Sequence, residues 1–428
     1  MYKMKSTAVV LFAILYAVIS VSDAQSCKDE NNNDVDWFYM YKLPKNKFSQ
    51  NPLISQGVGY LYITPQTIKN GWTLSTKSIN DSSSIPGLTL SLLYRKDEDH
   101  LAVIYNDQPF VFKADEEATT KVPKKPKLQK SKSVRRSVQR QTSTPEERKR
   151  KKLRKDGDGH TKGVVIGDGA NGIWLVHSVP KFPPLPDIPL MIKITPYYGT
   201  SYKNSVNIVK YYYPETARRY GQSFLCMSLK AATLNQVGQQ LCYNEPKILY
   251  SQVPNNWKAN VPRIVDVIDH KTVSEAPWSN VANITTKKGM KFLSFAKSGN
   301  FKDDIYEGLV ATSLKSDLFV ESWINGAGVL ESNCSYQYKV NNVEKVAFAE
   351  KGIAFSSHAD HSKWAVSAPP GNRKKGTQNW ICVGDINRAE TQELRGGGTV
   401  CTQNYNLWTH YSTAINEIEP CKKPPKNG

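Results

Sequence analysis

The stretch GHTKGVVIGDGANGIWLVHSVPKFPP, residues 159–184, contains two short apolar runs separated by a turn-like string. Residues 164–166 and 173–176 are rich in β-branched and apolar side chains, as buried strands are. The string GDGANG between them supplies the Gly and Asn residues that tight turns favour. We therefore predict a β-hairpin here, with a histidine and a lysine at its entrance.

Strand-like and helix-like segments are mixed along the rest of the chain. Short apolar runs predict further strands in VDWFYMYKLP (35–44), LAVIYND (101–107), KVAFAEKGIAF (345–355) and NWICVGDINR (379–388). Two segments look more helical, PETARRYGQSFLCMSL (214–229) and AATLNQVGQQL (231–241). A mixture of this kind indicates an α/β or α+β fold, and 428 residues allow one large or two medium domains.

The first 24 residues have the pattern of a secretory signal peptide. Lys3 and Lys5 precede an apolar run at residues 8–21, and the small-x-small string Ser-Asp-Ala ends at Ala24. The apolar run is shorter than the ~18 residues that a membrane-spanning helix needs, and no later stretch approaches that length. We expect a protein of the secretory pathway that is secreted or lysosomal and has no membrane span.

The seven cysteines fit that compartment because all of them follow the predicted cleavage site. Three disulfides and one free thiol are the simplest count. A zinc site is the competing interpretation, but no pair has the C-x₂-C spacing of a zinc finger. Three Asn-x-Ser/Thr triplets predict N-glycosylation at Asn80, Asn283 and Asn333.

The net charge of +19 is concentrated in one segment. Residues 121–155 carry 16 Lys or Arg and two Glu, a local net charge of +14, which leaves +5 for the rest of the chain. The surrounding segment, residues 114–158, has few large apolar side chains, so we expect a disordered basic insertion. It could tether polyanions or be a solvated insertion without a role.

The tripeptide His-x-Lys occurs twice, as His160-Thr-Lys162 and as His361-Ser-Lys363. Both copies border strand-like sequence, where residues i and i+2 point to the same face. Two such pairs would place two imidazoles and two ammonium groups around one anion. This set can cleave a phosphodiester without a metal, since one imidazole attacks phosphorus and the other protonates the leaving oxygen.

A single His-x-Lys is more often structural, so the repetition is what favours a catalytic role. A similar short string follows each copy, with Asp168 after the first and Asp385 and Asn387 after the second, and this similarity suggests a duplicated domain. His358 and Asp360 lie close to the second copy. We interpret both as loop residues, because Asp360 as the neighbour of His361 would point to the opposite strand face.

The chain resembles the deoxyribonuclease II family of the phospholipase D-like superfamily. The resemblance rests on residues 159–184, on the strings DHSKWAVS, WICVGDINR and RGGGTVC within residues 360–401, and on YNDQP, YGQSFLC and DLFVESW. It runs from about residue 35 to residue 421 and does not extend to the basic insertion. It implies an α/β pseudo-dimer of two halves, each with a central β-sheet flanked by helices. We assign the halves to residues 25–250 and 251–421, followed by a flexible tail, 422–428.

The resemblance also implies the residues of the site. His160, Lys162, His361 and Lys363 carry over as the catalytic set, and His177 is either a supporting residue or a core histidine. Asp385 and Asn387 are further candidates. The implied disulfides are Cys27–Cys226, Cys334–Cys421 and Cys382–Cys401, which leaves Cys242 free.

The activity implied is acid endonucleolytic cleavage of DNA through a phosphohistidine, with no cofactor and no divalent metal. It would leave 3′-phosphate and 5′-hydroxyl ends and would contact DNA through phosphates with little sequence preference. Which histidine is the nucleophile remains open. The alternatives are a protein that binds nucleic acid or a host partner without cleaving it, and an enzyme acting on RNA or phospholipid.

Overall fold

The structure is a computed structural model that describes residues 25–95, 99–109, 158–186, 210–368 and 379–421. The predicted signal peptide, the basic insertion up to residue 157 and the predicted tail at 422–428 lie outside the described residues. Within the described ranges no helix is long and apolar enough to cross a membrane.

Within the described ranges the first large sheet has eight strands, all antiparallel to their neighbours. It follows a short two-stranded sheet of β1 (Cys27–Lys28) and β2 (Asp34–Val35). Its strands are β3 (Trp37–Lys42), β4 (Tyr60–Ile63), β5 (Thr73–Leu74), β6 (Leu101–Asn106), β7 (Lys162–Asp168), β8 (Asn171–His177), β9 (Gln222–Lys230) and β10 (Ile248–Gln252). Their order is β10-β6-β7-β8-β9-β3-β4-β5. The β7–β8 pair confirms the predicted hairpin, with Gly163 opposite Val176.

The second sheet has nine strands in the described residues. They are β11 (Ser279–Thr285), β12 (Lys291–Lys297), β13 (Leu318–Glu321), β14 (Val340–Phe348), β15 (Ile353–Ser356), β16 (Trp364–Ser367), β17 (Trp380–Gly384), β18 (Gly397–Gln403) and β19 (Ile415–Ile418). The order is β11-β12-β18-β17-β16-β13-β14-β15, and β19 pairs with β14. The hairpin β16–β17 lies between β13 and β18, as the hairpin β7–β8 lies between β6 and β9. The two His-x-Lys tripeptides therefore stand at equivalent hairpin entrances.

Helices are short. The α-helices are α1 (Pro52–Gln56), α2 (Ile85–Thr89), α3 (Ala231–Asn244), α4 (Asn255–Lys258), α5 (Pro262–Ile268), α6 (Thr312–Leu314), α7 (Glu390–Glu393) and α8 (Tyr405–Ser412). A π-helical turn spans Tyr306–Ala311. The longest described helix is α3, which the sequence predicted, and it packs Leu234, Val237 and Leu241 into the core.

The helical prediction for residues 214–229 is wrong, because the second half of that segment, from Gln222 onward, is strand β9, and the first half contains only a short 3-10 turn at Glu215–Ala217. This strand is buried on both faces: Phe224 and Cys226 enter one core cluster, while Leu225 and Met227 enter another. A strand buried on both faces reads as a continuous apolar run without a period of two. Periodicity alone cannot separate such a run from a buried helix.

The core between the sheets joins the two halves of the molecule. One cluster contains Tyr41 and Trp174 from the first sheet together with Trp364 and Val383 from the second. Separate clusters cover the other face of each sheet. The fold is therefore mixed α/β with two sheet-rich halves, as predicted. The residue at which the halves divide stays a prediction.

The structure contains the disulfides Cys27–Cys226, Cys334–Cys421 and Cys382–Cys401, and Cys242 is a free, partly buried thiol. Among the predicted glycosylation sites only Asn283 is exposed, on β11. Asn80 accepts a hydrogen bond from the backbone of Tyr213, and Asn333 donates one to Glu307. Glycosylation at all three stays a prediction.

Candidate active site

The first His-x-Lys pair is built around the carboxylate of Asp107. Lys162 opens β7 and pairs with Asn106 of β6, so Asp107 follows directly beside it. Lys162 Nζ donates to Asp107 Oδ1 at 2.5 Å, and His160 Nδ1 lies 2.8 Å from Asp107 Oδ2. Arg395, from the second half of the chain, donates to the same Oδ2 at 2.9 Å. One carboxylate thus holds three basic groups.

The Asp107 contact fixes the tautomer of His160. A carboxylate only accepts hydrogen bonds, so Nδ1 carries the proton and Nε2 keeps its lone pair. Arg395 Nη1 is also near Nδ1, at 3.2 Å, but two donors cannot bond each other and the shorter carboxylate contact decides the tautomer. Asn387 Nδ2 lies 3.4 Å from Nε2. Nε2 is therefore an unprotonated nitrogen at the site.

His160 is neutral over a wide pH range. Burial of the ring, which is only 5% exposed, lowers its pKa to about 3, and the charges of Lys162 and Arg395 add to that shift. The Asp107 carboxylate opposes the shift but is outweighed. The contact with His160, then the charges of Lys162 and Arg395, hold the pKa of Asp107 well below its usual range despite its burial. The carboxylate is charged and the imidazole is not.

The second pair packs His361 against Lys363. Lys363 Nζ lies 2.9 Å from His361 Nδ1 and 3.3 Å from Nε2, and it donates to the His361 backbone oxygen at 2.5 Å. The ring also lies near two acceptors, Ser178 O at 3.0 Å and Gln222 Oε1 at 3.2 Å. Both side chains are almost fully buried. In contrast to Lys162, Lys363 has no carboxylate contact within the described residues.

Positive charge dominates the electrostatics of this second pair. Burial first, and then the charges of Lys363 and Lys162, hold the pKa of His361 well below its usual range. Burial and the Lys162 charge lower the pKa of Lys363 in the same way. The charge of Lys162 in the first pair thus acts on both residues of the second pair. An anion entering between them would relieve this repulsion.

Two residues of the second half reach directly into the first pair. Asp385 Oδ2 accepts hydrogen bonds from the Thr161 hydroxyl and from the backbone N–H of Lys162, the latter at 3.0 Å. Burial raises the pKa of Asp385 to about 6. Asn387 lies beside His160, as described above. These contacts bring both sequence-predicted candidates to the site, and their roles stay predictions.

The proposed correspondence between Asp168 and Asp385 is wrong, because the two residues occupy different positions in their hairpins. Asp168 ends β7 at the hairpin turn, opposite Asn171 and far along the strand from Lys162. Asp385 instead follows β17, the returning strand of its hairpin. The residue in the equivalent place of the first half is Ser178, which follows β8 and gives its carbonyl oxygen to His361.

His177 lies in the core behind the site. Its ring packs against Phe182 and Phe224, and Nδ1 accepts a hydrogen bond from Val179 N–H at 3.2 Å. Nε2 is buried without a partner in the described structure. Burial, then the charge of Lys162, holds its pKa well below the usual range. These contacts are those of a core histidine next to the site, and a supporting role stays a prediction.

His358 and Asp360 differ from each other more than the sequence suggested. His358 is exposed and contacts Asn325, away from the pair. Asp360 is fully buried and accepts hydrogen bonds from Tyr41 and from the Ser362 hydroxyl, the latter at 2.6 Å. It therefore anchors the backbone of the second tripeptide from behind and does not face solvent.

Sequence reasoning missed several residues of the site. Asp107 lay inside a quoted string, YNDQP, and its place at the end of a strand was the available signal. Arg395, Gln222, Ser178 and Trp323 also lie in strings that carry the resemblance, but their place at the site could not be predicted, because only tertiary contacts bring them to the histidines. Trp323 packs edge-on against His361 with 5.0 Å between ring centroids. In the described part of the chain, no group of three or more His, Cys, Asp or Glu side chains could hold a metal ion.

The lowered pKa of His160 predicts a pH-dependent stability. Histidine titrates near ~6.5 in an unfolded chain, so the unfolded state takes up the proton first as the pH falls. The contribution of neutral His160 is fully present above pH ~6.5 and is lost as the pH approaches about 3. In the wild type, His160 should lower the free energy of unfolding by about 3 kcal/mol as the pH falls from ~6.5 to ~4. This part of the decrease should be absent from His160→Gln, as urea denaturation at the two pH values can measure.

The comparison with His160→Gln cancels the titrating groups that His160 does not contact, including Asp385, which both proteins share; Asp107 stays ionised above pH ~4 in the wild type, because its pKa is held well below the usual range. Identical pH dependence in the two proteins would show that His160 titrates normally in the fold.

Known proteins match the chain over nearly its whole length. The deoxyribonuclease II family model matches residues 26–421. Plancitoxin-1 of Acanthaster planci is 34% identical over 419 residues, which cover 97% of this chain and 98% of the relative. Deoxyribonuclease-2-alpha of Mus musculus is 34% identical over 402 residues, or 94% of each chain. Deoxyribonuclease-2 of Caenorhabditis elegans is 34% identical over 415 residues, or 96% of this chain and 98% of the relative. The chain therefore belongs to the deoxyribonuclease II family and is a hydrolase of the deoxyribonuclease class.

Proposed function

We propose that this protein cleaves DNA phosphodiesters at acid pH without a divalent metal, through a phosphohistidine formed on His160. The observation that carries the proposal is the pair of imidazoles flanked by Lys162 and Lys363. His160 has a lone pair on Nε2, as a nucleophile requires, because Asp107 holds its proton on Nδ1. His361 is left as the general acid and base.

The first step forms the covalent intermediate. His160 Nε2 attacks phosphorus, and the bond between phosphorus and the 5′ oxygen breaks as that oxygen takes a proton from His361. One product is a 5′-hydroxyl end, and the other DNA end stays attached to His160 through its 3′-phosphoryl group. Lys363 is suited to hold a phosphoryl oxygen, because its Nζ contacts only His361 among the described residues.

The second step releases the 3′-phosphate. Neutral His361 takes a proton from water, the water oxygen attacks phosphorus, and the bond to Nε2 breaks. His160 and His361 return to their starting protonation states, with the proton held by His361. No step changes an oxidation state or requires a further reactant.

The acid requirement follows from the environment of the two rings. The pKa values of His160 and His361 are both below the usual range, so both imidazoles of the free site are uncharged near pH ~7. One proton must be added before His361 can act as an acid, and the incoming phosphate favours that protonation by its negative charge. Acidic compartments of the secretory pathway, or acidic surroundings after secretion, meet this need.

We expect cleavage of plasmid DNA at about pH 5 to continue unchanged in excess EDTA. His160→Ala and His361→Ala should each lower kcat by at least ~10²-fold, as the loss of a nucleophile or a general acid does. His358→Ala is the matched control, because that exposed histidine lies apart from both pairs.

Plasmid-nicking assays with end-group analysis make the measurement. Loss of activity in EDTA would point to a metal-dependent enzyme, and full activity of either histidine variant would contradict the mechanism. Absence of cleavage by the wild type on DNA would favour the non-cleaving alternative.

We expect kcat/KM to rise about tenfold per pH unit as the pH falls from ~7, because the reaction needs one proton that the free site lacks. The rise should end once His361 of the free enzyme is protonated, which happens below its usual pKa range, and activity should fall as His160 becomes protonated near its pKa of about 3. A pH–rate profile on a defined oligonucleotide tests this. A profile that is flat between pH ~7 and ~5, or an optimum at or above ~6.5, would contradict the proposed protonation states.

A further inference from the structure

A large basic groove lies beside the second His-x-Lys pair. Its volume is about 1210 Å³, above the ~300–1,000 Å³ that small-molecule sites occupy, so an extended ligand suits it better. Both halves of the chain line it, through the loop after β3, the segment before β9 and the turn between β14 and β15. Ala359, two residues before His361, forms part of its wall.

The charge of the groove favours an anion. The described lining residues include five cations and one acidic side chain, Glu215. None of the five cations forms an ion pair within the described structure; they are Lys45, Lys47, Arg218, Arg219 and Lys351. In addition, Arg218 Nε is buried without a hydrogen-bond partner. Arg218 lines the groove, so the groove wall contains a buried donor that lacks an acceptor among the described residues.

An aromatic ring stands in the same groove. Phe48 is 92% exposed, the largest exposure among the described large hydrophobic side chains. Hydrogen bonds hold the backbone of this turn, because Asn46 Oδ1 accepts from Phe48 N–H at 3.0 Å and Lys45 N–H donates to Arg219 O at 3.1 Å. A hydrogen-bonded turn therefore presents the ring to solvent between cations.

A line of planar groups connects the groove to the catalytic histidine. The Arg219 guanidinium lies over the Tyr220 ring at 5.0 Å. The Tyr220 ring is 4.8 Å from the Trp323 ring, which is 5.0 Å from His361. A strand whose phosphate sits at His361 would thus meet planar and cationic groups on its way into the groove.

We propose that this groove binds a single-stranded segment of the DNA substrate next to the scissile phosphate. Lys45, Lys47 and Arg219 contact successive phosphates, and Phe48 stacks on an unpaired base. The combination of a cationic groove with an exposed aromatic platform is how proteins bind single strands, whereas the base faces of a duplex are covered by their neighbours. This inference rests on the proposed function and adds the substrate form that the site handles.

The test compares Phe48→Ala and Lys47→Gln with two control variants outside the groove. Tyr405→Ala removes another exposed aromatic ring, and Lys258→Gln removes an exposed lysine at the end of α4. The DNA substrate is a single strand of about 20 nucleotides, longer than the ~4–16 nucleotides that such grooves usually cover. A small substrate, thymidine 3′-(p-nitrophenyl phosphate), reaches only the two histidine–lysine pairs.

We expect Phe48→Ala to raise KM for the single strand about tenfold, the loss expected for one base–aromatic stack. Lys47→Gln should lower the slope of log affinity against log salt by about 0.7, the value for one phosphate contact of a single strand. Neither variant should change kcat/KM on the small substrate, and the controls should match the wild type throughout.

Unchanged KM and salt slope in both groove variants would overturn the proposal. An equal rise in KM of Phe48→Ala on a blunt-ended duplex would also overturn the proposal, since the ring would then not be stacking on an unpaired base. If the wild type cleaves neither DNA nor the small substrate, the proposed function fails. In that case fluorescence anisotropy of the labelled single strand with the same variants still decides whether the groove binds it.

Discussion

The ionised carboxylate of Asp107 is the contact on which the site depends. It bonds the imidazole and the ammonium group of the first tripeptide and the guanidinium of Arg395 from the other half of the chain. It therefore sets the tautomer of His160 and balances cations that burial would otherwise make unfavourable. Removing one partner of such a buried ionic group typically costs about 3–5 kcal/mol, because the remaining charges stay buried and unpaired.

The site exists only where the two sheets meet. Asp385 crosses from the second half to hold the backbone of the first tripeptide, and Ser178 crosses in the other direction to His361. A shared apolar core behind both hairpins keeps these contacts in place. The geometry is therefore a property of the pair of halves. Burial at this junction also lowers the pKa of both imidazoles, which links the architecture to the acid requirement that we propose.

The sequence was informative where function is encoded locally. The hairpin β7–β8 and both tripeptides could be predicted, because turn residues, apolar runs and an i, i+2 spacing are all short-range signals. Asp107 lies 53 residues from His160, and Arg395 lies 288 residues from Asp107, so no local pattern joins them. The predicted correspondence between Asp168 and Asp385 was wrong, because similar strings do not show which end of a hairpin a residue occupies.

The proposed mechanism makes His160 the nucleophile and His361 the general acid and base. With thymidine 3′-(p-nitrophenyl phosphate) the leaving group is p-nitrophenol, which needs no general acid. The first step should therefore still occur when His361 is replaced. The second step, release of the 3′-phosphate, still needs His361 as a base and should be lost. The most direct measurement is rapid mixing of His361→Ala with this substrate. We expect His361→Ala to release a burst of p-nitrophenol equal to the enzyme concentration. After an alkaline quench, thymidine 3′-phosphate should be found attached to His160 of that protein. His160→Ala should give no burst. A burst from His160→Ala, or an adduct on His361, would contradict it.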